Sequence, residues 1–191
     1  MNTERFTIIE RIEGFKDIMT LNCAPIYTEE QIDRLCHMGF FDAPASTKYH
    51  GAYAGGLFDH SANVTIALLE LSAKMGLKWR RAESPLIIGM YHDLCKCDQY
   101  AKNKAYLNGQ IDVPEYEYNK NTLLKGHGNK SAMLAATLTD LTEEEVCCIV
   151  YHMGAFTEKE EWTDYTGAIH RYPNVLWTHT ADMMAAHITE V

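Results

Sequence analysis

The sequence predicts an all-α protein, a single helical bundle with room for a small β-hairpin insertion around residues 104–118. Three observations predict it. Over residues 57–75, Val64, Leu68, Leu71 and Met75 recur on one face at the helical period, with His60 one turn before Val64 on that face. Thr28-Glu29-Glu30-Gln31 and Thr142-Glu143-Glu144-Glu145 both have the form of a capping box opening a helix. Ser84 to Tyr91 is almost wholly apolar; Ser84 can cap and Pro85 suits a first turn, so a buried helix is expected, ending at Lys96.

Taken in order, Ile8, Ile12, Phe15 and Met19 give an amphipathic helix over residues 3–21. The helix opened by Thr28 is closed by Gly39. Residues 40–56 are rich in small and turn residues, including Gly51, Gly55 and Gly56, and read as a loop packed close to another part of the chain. Gly76 ends the long helix that follows. Residues 97–122 carry Tyr100, Tyr106, Tyr116 and Tyr118 among polar residues. Asn108-Gly109 there suits a tight hairpin turn, in either an exposed loop or a substrate-facing flap. Ala132 to Leu138 is helical, which places His127 just before a helix start. In the next helix Val146, Ile149, Val150 and Met153 form the expected buried face, with His152 in the last turn. Residues 154–172, with Phe156, Trp162 and Tyr165, suit a lid, and Pro173 starts the last helix.

Composition narrows the function classes. A chain of 191 residues, 47% hydrophobic and 23% charged, is long enough for one domain with a substantial core, spanning 1–191 with the helices of 1–39 packed on it. The net charge of -9 argues against broad binding to nucleic acid or an anionic membrane. No apolar run is long enough to span a bilayer, and the N-terminus lacks a signal-peptide layout. The six cysteines form no paired CxxC framework and are expected as reduced, mostly buried thiols, which together with these absences points to the cytoplasm.

The chemistry sits where charge is expected in apolar surroundings. Burying a histidine and an aspartate is costly unless each has a partner, and a metal ion can serve both. His92-Asp93 ends the central apolar run, and His60, His127, His152 and Asp182 lie on other segments, on apolar faces or near helix ends. Imidazole and carboxylate together suit Fe, Mn, Ni, Zn or Mg, one ion or two. His179, one turn before Asp182, is expected to support a ligand.

The order His60, His92-Asp93, Asp182 resembles the HD-domain superfamily of metal-dependent phosphohydrolases, over about residues 50–185. The family's doublet is commonly followed by glycine and lysine; here Leu94-Cys95-Lys96 keeps the lysine and has Cys95 for the glycine. The resemblance implies an HD-domain-like helical bundle in which His60, His92, Asp93 and Asp182 hold one metal. Asp93 would bridge to a second, held by His127 and His152. It implies an enzyme that hydrolyses a phosphomonoester or phosphodiester, of a nucleotide or similar small phosphorylated substrate. Asp93 and Lys96 would be catalytic, with Lys96 contacting a phosphate oxygen, although a solvated lysine at a helix end fits the residue equally well. Lys130 and His50 are weaker phosphate-binding candidates. Two alternatives remain. One is a 3′–5′ exonuclease, suggested by the Gly55-Gly56 lead-in to His60. The other is a non-catalytic module that binds metal or nucleotide without turnover.

Overall fold

The computed structural model describes residues 6–21 and 23–189. In chain order the helices are α1 (Ile8–Ile18), α2 (Glu29–Met38), α3 (Gly56–Met75), α4 (Ser84–Tyr91), α5 (Lys104–Leu107), α6 (Gly128–Leu138), α7 (Glu143–Val150), α8 (Trp162–Arg171) and α9 (Asn174–Met184). Strands β1 (Thr20–Leu21) and β2 (Ala24–Pro25) pair antiparallel, as do β3 (Tyr100–Lys102) and β4 (Tyr116–Tyr118). The all-α expectation therefore holds, with two small hairpins and no closed sheet among the described residues. No helix among them is long and apolar enough to cross a membrane. The chain divides into two compact units, and the division falls inside α3, between His60 and Ser61.

The first unit comprises the residues up to His60 together with Lys96–Thr122. Its core is aromatic. Phe40 packs edge-on against Phe41 and Phe58, with centroids 5.2 and 6.0 Å away, and Phe15 meets Phe41 at 5.8 Å. Helix α1 starts at Ile8 because Thr7 and Glu10 form a reciprocal cap; the predicted residues 3–5 lie outside the described residues. Its inward face is Arg11, Phe15 and Met19, and Ile8 is half exposed, which corrects the predicted stripe. Arg11 can be buried because its guanidinium makes two 2.9 Å hydrogen bonds to Asp59. The glycine-rich loop is indeed closely packed, since Gly55 lies against that guanidinium. Thr28 and Gly39 cap α2 as expected. The predicted hairpin exists with strands at 100–102 and 116–118, but Asn108-Gly109 does not join them as a two-residue turn. Instead these residues terminate α5, which is inserted in the connection.

The second unit comprises Ser61–Cys95 and the residues from Leu123 onward. Helix α4 is buried along its whole length, with Ile88, Met90 and Tyr91 among the least accessible side chains. Two corrections apply. Ser84 is the first helical residue rather than the cap, and its hydroxyl donates to Glu145 at 2.7 Å. The helix ends at Tyr91, not Lys96; a turn follows, then a 3-10 turn over Leu94–Cys97. The inward face of α7 is also not the predicted Val146, Val150 and Met153: Glu144, Glu145, Cys148 and Ile149 are buried, and of the predicted set only Ile149 is. Residues 162–171, expected as part of a lid, form α8. Among the six thiols only Cys95 and Cys148 are buried, fewer than predicted.

Glu145 explains why α7 turns carboxylates inward. It accepts from Arg81 Nε at 2.8 Å and Nη2 at 2.7 Å, from Ser84 Oγ, and from the Thr142 backbone at 2.8 Å. Burial pushes its carboxyl upward, but the bonds from Arg81, Thr142 and Ser84 and the Arg81 charge outweigh that, and the net direction is downward. A lowered carboxyl stabilises the fold above its ordinary range and loses that contribution as pH falls through the native value. Glu145→Gln is expected to cost about 2 kcal/mol at neutral pH, an estimate tempered by the partial exposure of Arg81. The loss should shrink in acid. Denaturant titrations at pH 7 and pH 4 check this, and an equal loss at both would remove the carboxylate's charge from the explanation.

Candidate metal centre

Three connections deliver the site's side chains within the second unit. His92 and Asp93 stand in the turn where α4 ends, His127 is the residue before α6, and His152 lies just past α7. Asp182 comes from the last turn of α9. A Cβ on Gly128 would fall 1.9 Å from the Val150 carbonyl oxygen, so only glycine allows the start of α6 to lie against the end of α7. That approach sets His127 and His152 with ring centroids 5.0 Å apart; His92 and His152 are 4.9 Å apart.

Asp93 is the hub. Its Oδ1 lies 2.8 Å from His127 Nε2 and 3.5 Å from His152 Nε2, and its Oδ2 lies 3.4 Å from His92 Nε2. Asp182 Oδ1 is 4.0 Å from His92 Nε2. Asp93, His92 and His152 are almost wholly inaccessible, and His127 is the most open of the three imidazoles at 26%. Wholly within the second unit, two groups of described residues have ligand atoms within 4.8 Å of one another and could each hold a metal ion: His92, His152 and Asp182; and Asp93, Cys95 and His127.

The outer hydrogen bonds fix which nitrogen faces inward. His92 Nδ1 meets the Gly89 carbonyl at 2.9 Å, and His152 Nδ1 meets the Ile149 carbonyl at 2.7 Å. A carbonyl only accepts, so both Nδ1 atoms carry the proton and, in the neutral rings, both Nε2 atoms present lone pairs to the carboxylates. Burial alone would push the His152 imidazole down. The hydrogen bond and charge of Asp93, with the charge of Asp182, outweigh it and move the imidazole upward, so the local field favours positive charge. The donor set of imidazole nitrogen and carboxylate oxygen, with one thiol, fits a divalent transition ion.

The predicted site residues divide between the units. His92, Asp93, His127, His152, Asp182 and Lys130 belong to the second, where the first five cluster and Lys130 is buried in α6. His60, His50 and Lys96 belong to the first. There His60 is buried, with its ring 4.8 Å from that of His50, and Lys96 is 8% exposed. His179, expected in a supporting role, places Nδ1 2.9 Å from the His152 carbonyl. Sequence reasoning missed Cys95 as a site group. Its Sγ is 3.4 Å from His127 Nδ1 and its N–H donates to Ser131 Oγ at 3.1 Å. A thiol two residues after a candidate carboxylate ligand was the available signal. Comparison of the chain with protein-family models, curated proteins and solved structures found no match.

Proposed function

We propose that the chain is a metal-dependent phosphohydrolase acting on a small phosphorylated substrate, a nucleotide or a similar phosphomonoester or phosphodiester. One observation carries the reading: Nε2 of His92 and His152 and the carboxylate oxygens of Asp93 and Asp182, all of them atoms able to ligate a cation, converge in a buried space. A divalent ion is a partner that all of them can share. The ordered set from His60 to Asp182 supports the phosphohydrolase class, through the resemblance it carries to HD-type enzymes.

When bound, a divalent ion there supplies Lewis acidity, neutralising phosphoryl oxygens and acidifying water. The chain's own groups do the rest. The Gly89 and Ile149 carbonyls hold two imidazoles in the ligating tautomer, with Nε2 directed at the carboxylates. Asp93, whose Oδ1 faces His127 and His152 and whose Oδ2 faces His92, would hold a divalent ion together with those imidazoles and Asp182. Lys130, in the same unit as the cluster, is assigned a phosphate oxygen as a point charge.

Elemental analysis combined with phosphate release from mono-, di- and cyclic nucleotides in Mn²⁺ or Fe²⁺ tests the reading. One or two ions per chain and turnover of at least one substrate are expected. Bound metal and tight nucleotide binding with no turnover would favour the non-catalytic module, and release of nucleotides from a DNA end would favour the exonuclease. His152→Ala is expected to weaken metal binding about tenfold or more, because its ring adjoins both His92 and His127. Unchanged metal content by elemental analysis would return it to the core.

A further inference from the structure

We infer that the second unit carries a separate ligand site, a cleft suited to a nucleotide: a planar base bearing a phosphate. The cleft has a volume of about 450 Å³ and is built from the segment before α4, the first turn of α7 and the junction of α8 with α9. That volume lies within the range of small-molecule sites. None of its lining residues belongs to the metal cluster, so the site stands whether or not the hydrolase reading does.

The hydrogen-bond inventory of the cleft is lopsided. Glu144, 4% exposed, already accepts the Arg80 backbone N–H at 2.9 Å on one oxygen and Asn174 Nδ2 at 2.8 Å on the other. The Tyr172 hydroxyl donates to Glu143 at 2.8 Å and receives Arg171 Nε at 3.1 Å and Arg80 Nη2 at 3.3 Å. The acidic and phenolic oxygens are thus engaged.

Several donors lack a carboxylate partner or an acceptor. Arg81 is paired with Glu145 and Arg171 with Glu143, whereas Lys78 and Arg80 have no carboxylate partner among the described residues. The indoles of Trp79 and Trp162 donate to Ser72 Oγ at 2.8 Å and the Thr157 carbonyl at 2.9 Å, but the Trp177 N–H has no protein acceptor among the described residues. Neither Trp79 nor Trp177, both in the lining, stacks on another ring there.

Lys78 and Arg80, without a carboxylate partner among the described residues, and an indole N–H beside the Trp79 and Trp177 rings complement a flat, acceptor-rich anion. In a chain of net charge -9, the cleft lining carries three cations (Lys78, Arg80 and Arg171) against one carboxylate, Glu144. The Asn174 amide oxygen receives no protein donor among the described residues, and it is left to take an N–H from the base edge. A cationic ligand would be repelled by the same three residues.

The three tryptophans make the test selective. Protein labelled with ¹⁵N at the indoles is titrated with AMP in EDTA, which suppresses turnover. The Trp79 and Trp177 indole resonances are expected to shift saturably while Trp162 stays in place. Adenosine alone and inorganic phosphate alone should each bind at least about tenfold more weakly, because each supplies half of the recognition. Arg80→Gln should weaken AMP about tenfold, and Lys74→Gln, an exposed lysine outside the lining, should leave its binding unchanged. Four outcomes would each overturn the proposal: no shift of either indole at millimolar AMP, an Arg80→Gln affinity equal to wild type, an equal weakening by Lys74→Gln, or choline producing the shifts in place of AMP.

Discussion

Asp93→Ala is expected to abolish metal binding and lower phosphate release by about a thousandfold or more, with the helical content of the protein retained. All three imidazoles of the second unit's cluster converge on this one carboxylate, at 2.8, 3.4 and 3.5 Å. No other side chain there is shared so widely, so its loss breaks both candidate halves of the site at once. On the proposed hydrolase reading the rate follows the metal, since without the ion a substrate phosphate would meet neither Lewis acid nor activated water. Asp93→Asn is the sharper variant. It keeps the volume but removes the charge, and its amide would place a donor nitrogen where an ion needs a lone pair. The readout need not be activity. Mn²⁺ at a hundredfold its dissociation constant stabilises the wild-type fold by about 2.7 kcal/mol, which raises its melting temperature by roughly 5–10 °C. Neither variant should show that rise. Wild-type metal content and an intact Mn²⁺-dependent shift in Asp93→Asn would remove the metal centre, and the phosphohydrolase reading with it.

The cluster was legible because it obeys a local rule repeated several times: a charged or imidazole side chain at the end of an apolar helical segment. His92-Asp93 after α4 and Asp182 on α9 each break an apolar pattern, His127 stands just before the start of α6, and the structure brings these three segments together. Capping chemistry was legible for the same reason, since Thr28 with Gln31 and Thr142 with Glu145 need only three residues of context. What escaped the sequence depends on partners far along the chain. Arg11 turns inward because Asp59, forty-eight positions away, waits for it, and no periodicity announces that. Glu144 and Glu145 displaced Val146 and Val150 from the buried face of α7 because Arg80, Arg81, Ser84 and Asn174 supply hydrogen bonds that a hydrophobic pattern cannot register. Asn108-Gly109 suited a hairpin turn and a helix end equally well, and the four residues of α5 decided it. Cys95 was hidden by its residue type, as a buried thiol ordinarily packs as a small hydrophobe.

Gly89→Ala is expected to destabilise the protein by about 2–4 kcal/mol and to impair metal binding in the same step. Gly89 lies in the middle of α4, where alanine would ordinarily favour the helix by about 1 kcal/mol. Here a Cβ would sit 2.5 Å from Thr65 Oγ1 and 2.6 Å from Thr65 Cα. The hydroxyl is held by its 2.7 Å bond to the Ser61 carbonyl, and the Cα belongs to the α3 backbone, so neither can rotate aside. Helix α4 must instead move away by the better part of an ångström, and overpacking of that kind costs more than the helix propensity returns. The Gly89 carbonyl also holds His92 Nδ1, so the displacement reaches the ligand directly. At about 2–4 °C per kcal/mol for a chain of this size, a melting temperature lower by roughly 5–15 °C is expected. Gly167→Ala serves as the control. It lies in α8 with nothing within 4 Å of the added Cβ, so it should be neutral or slightly stabilising. If Gly89→Ala melts with Gly167→Ala and binds metal normally, the close approach of α3 and α4 does not position His92. If it melts early yet binds metal normally, the Gly89 carbonyl is dispensable to the ligand it meets.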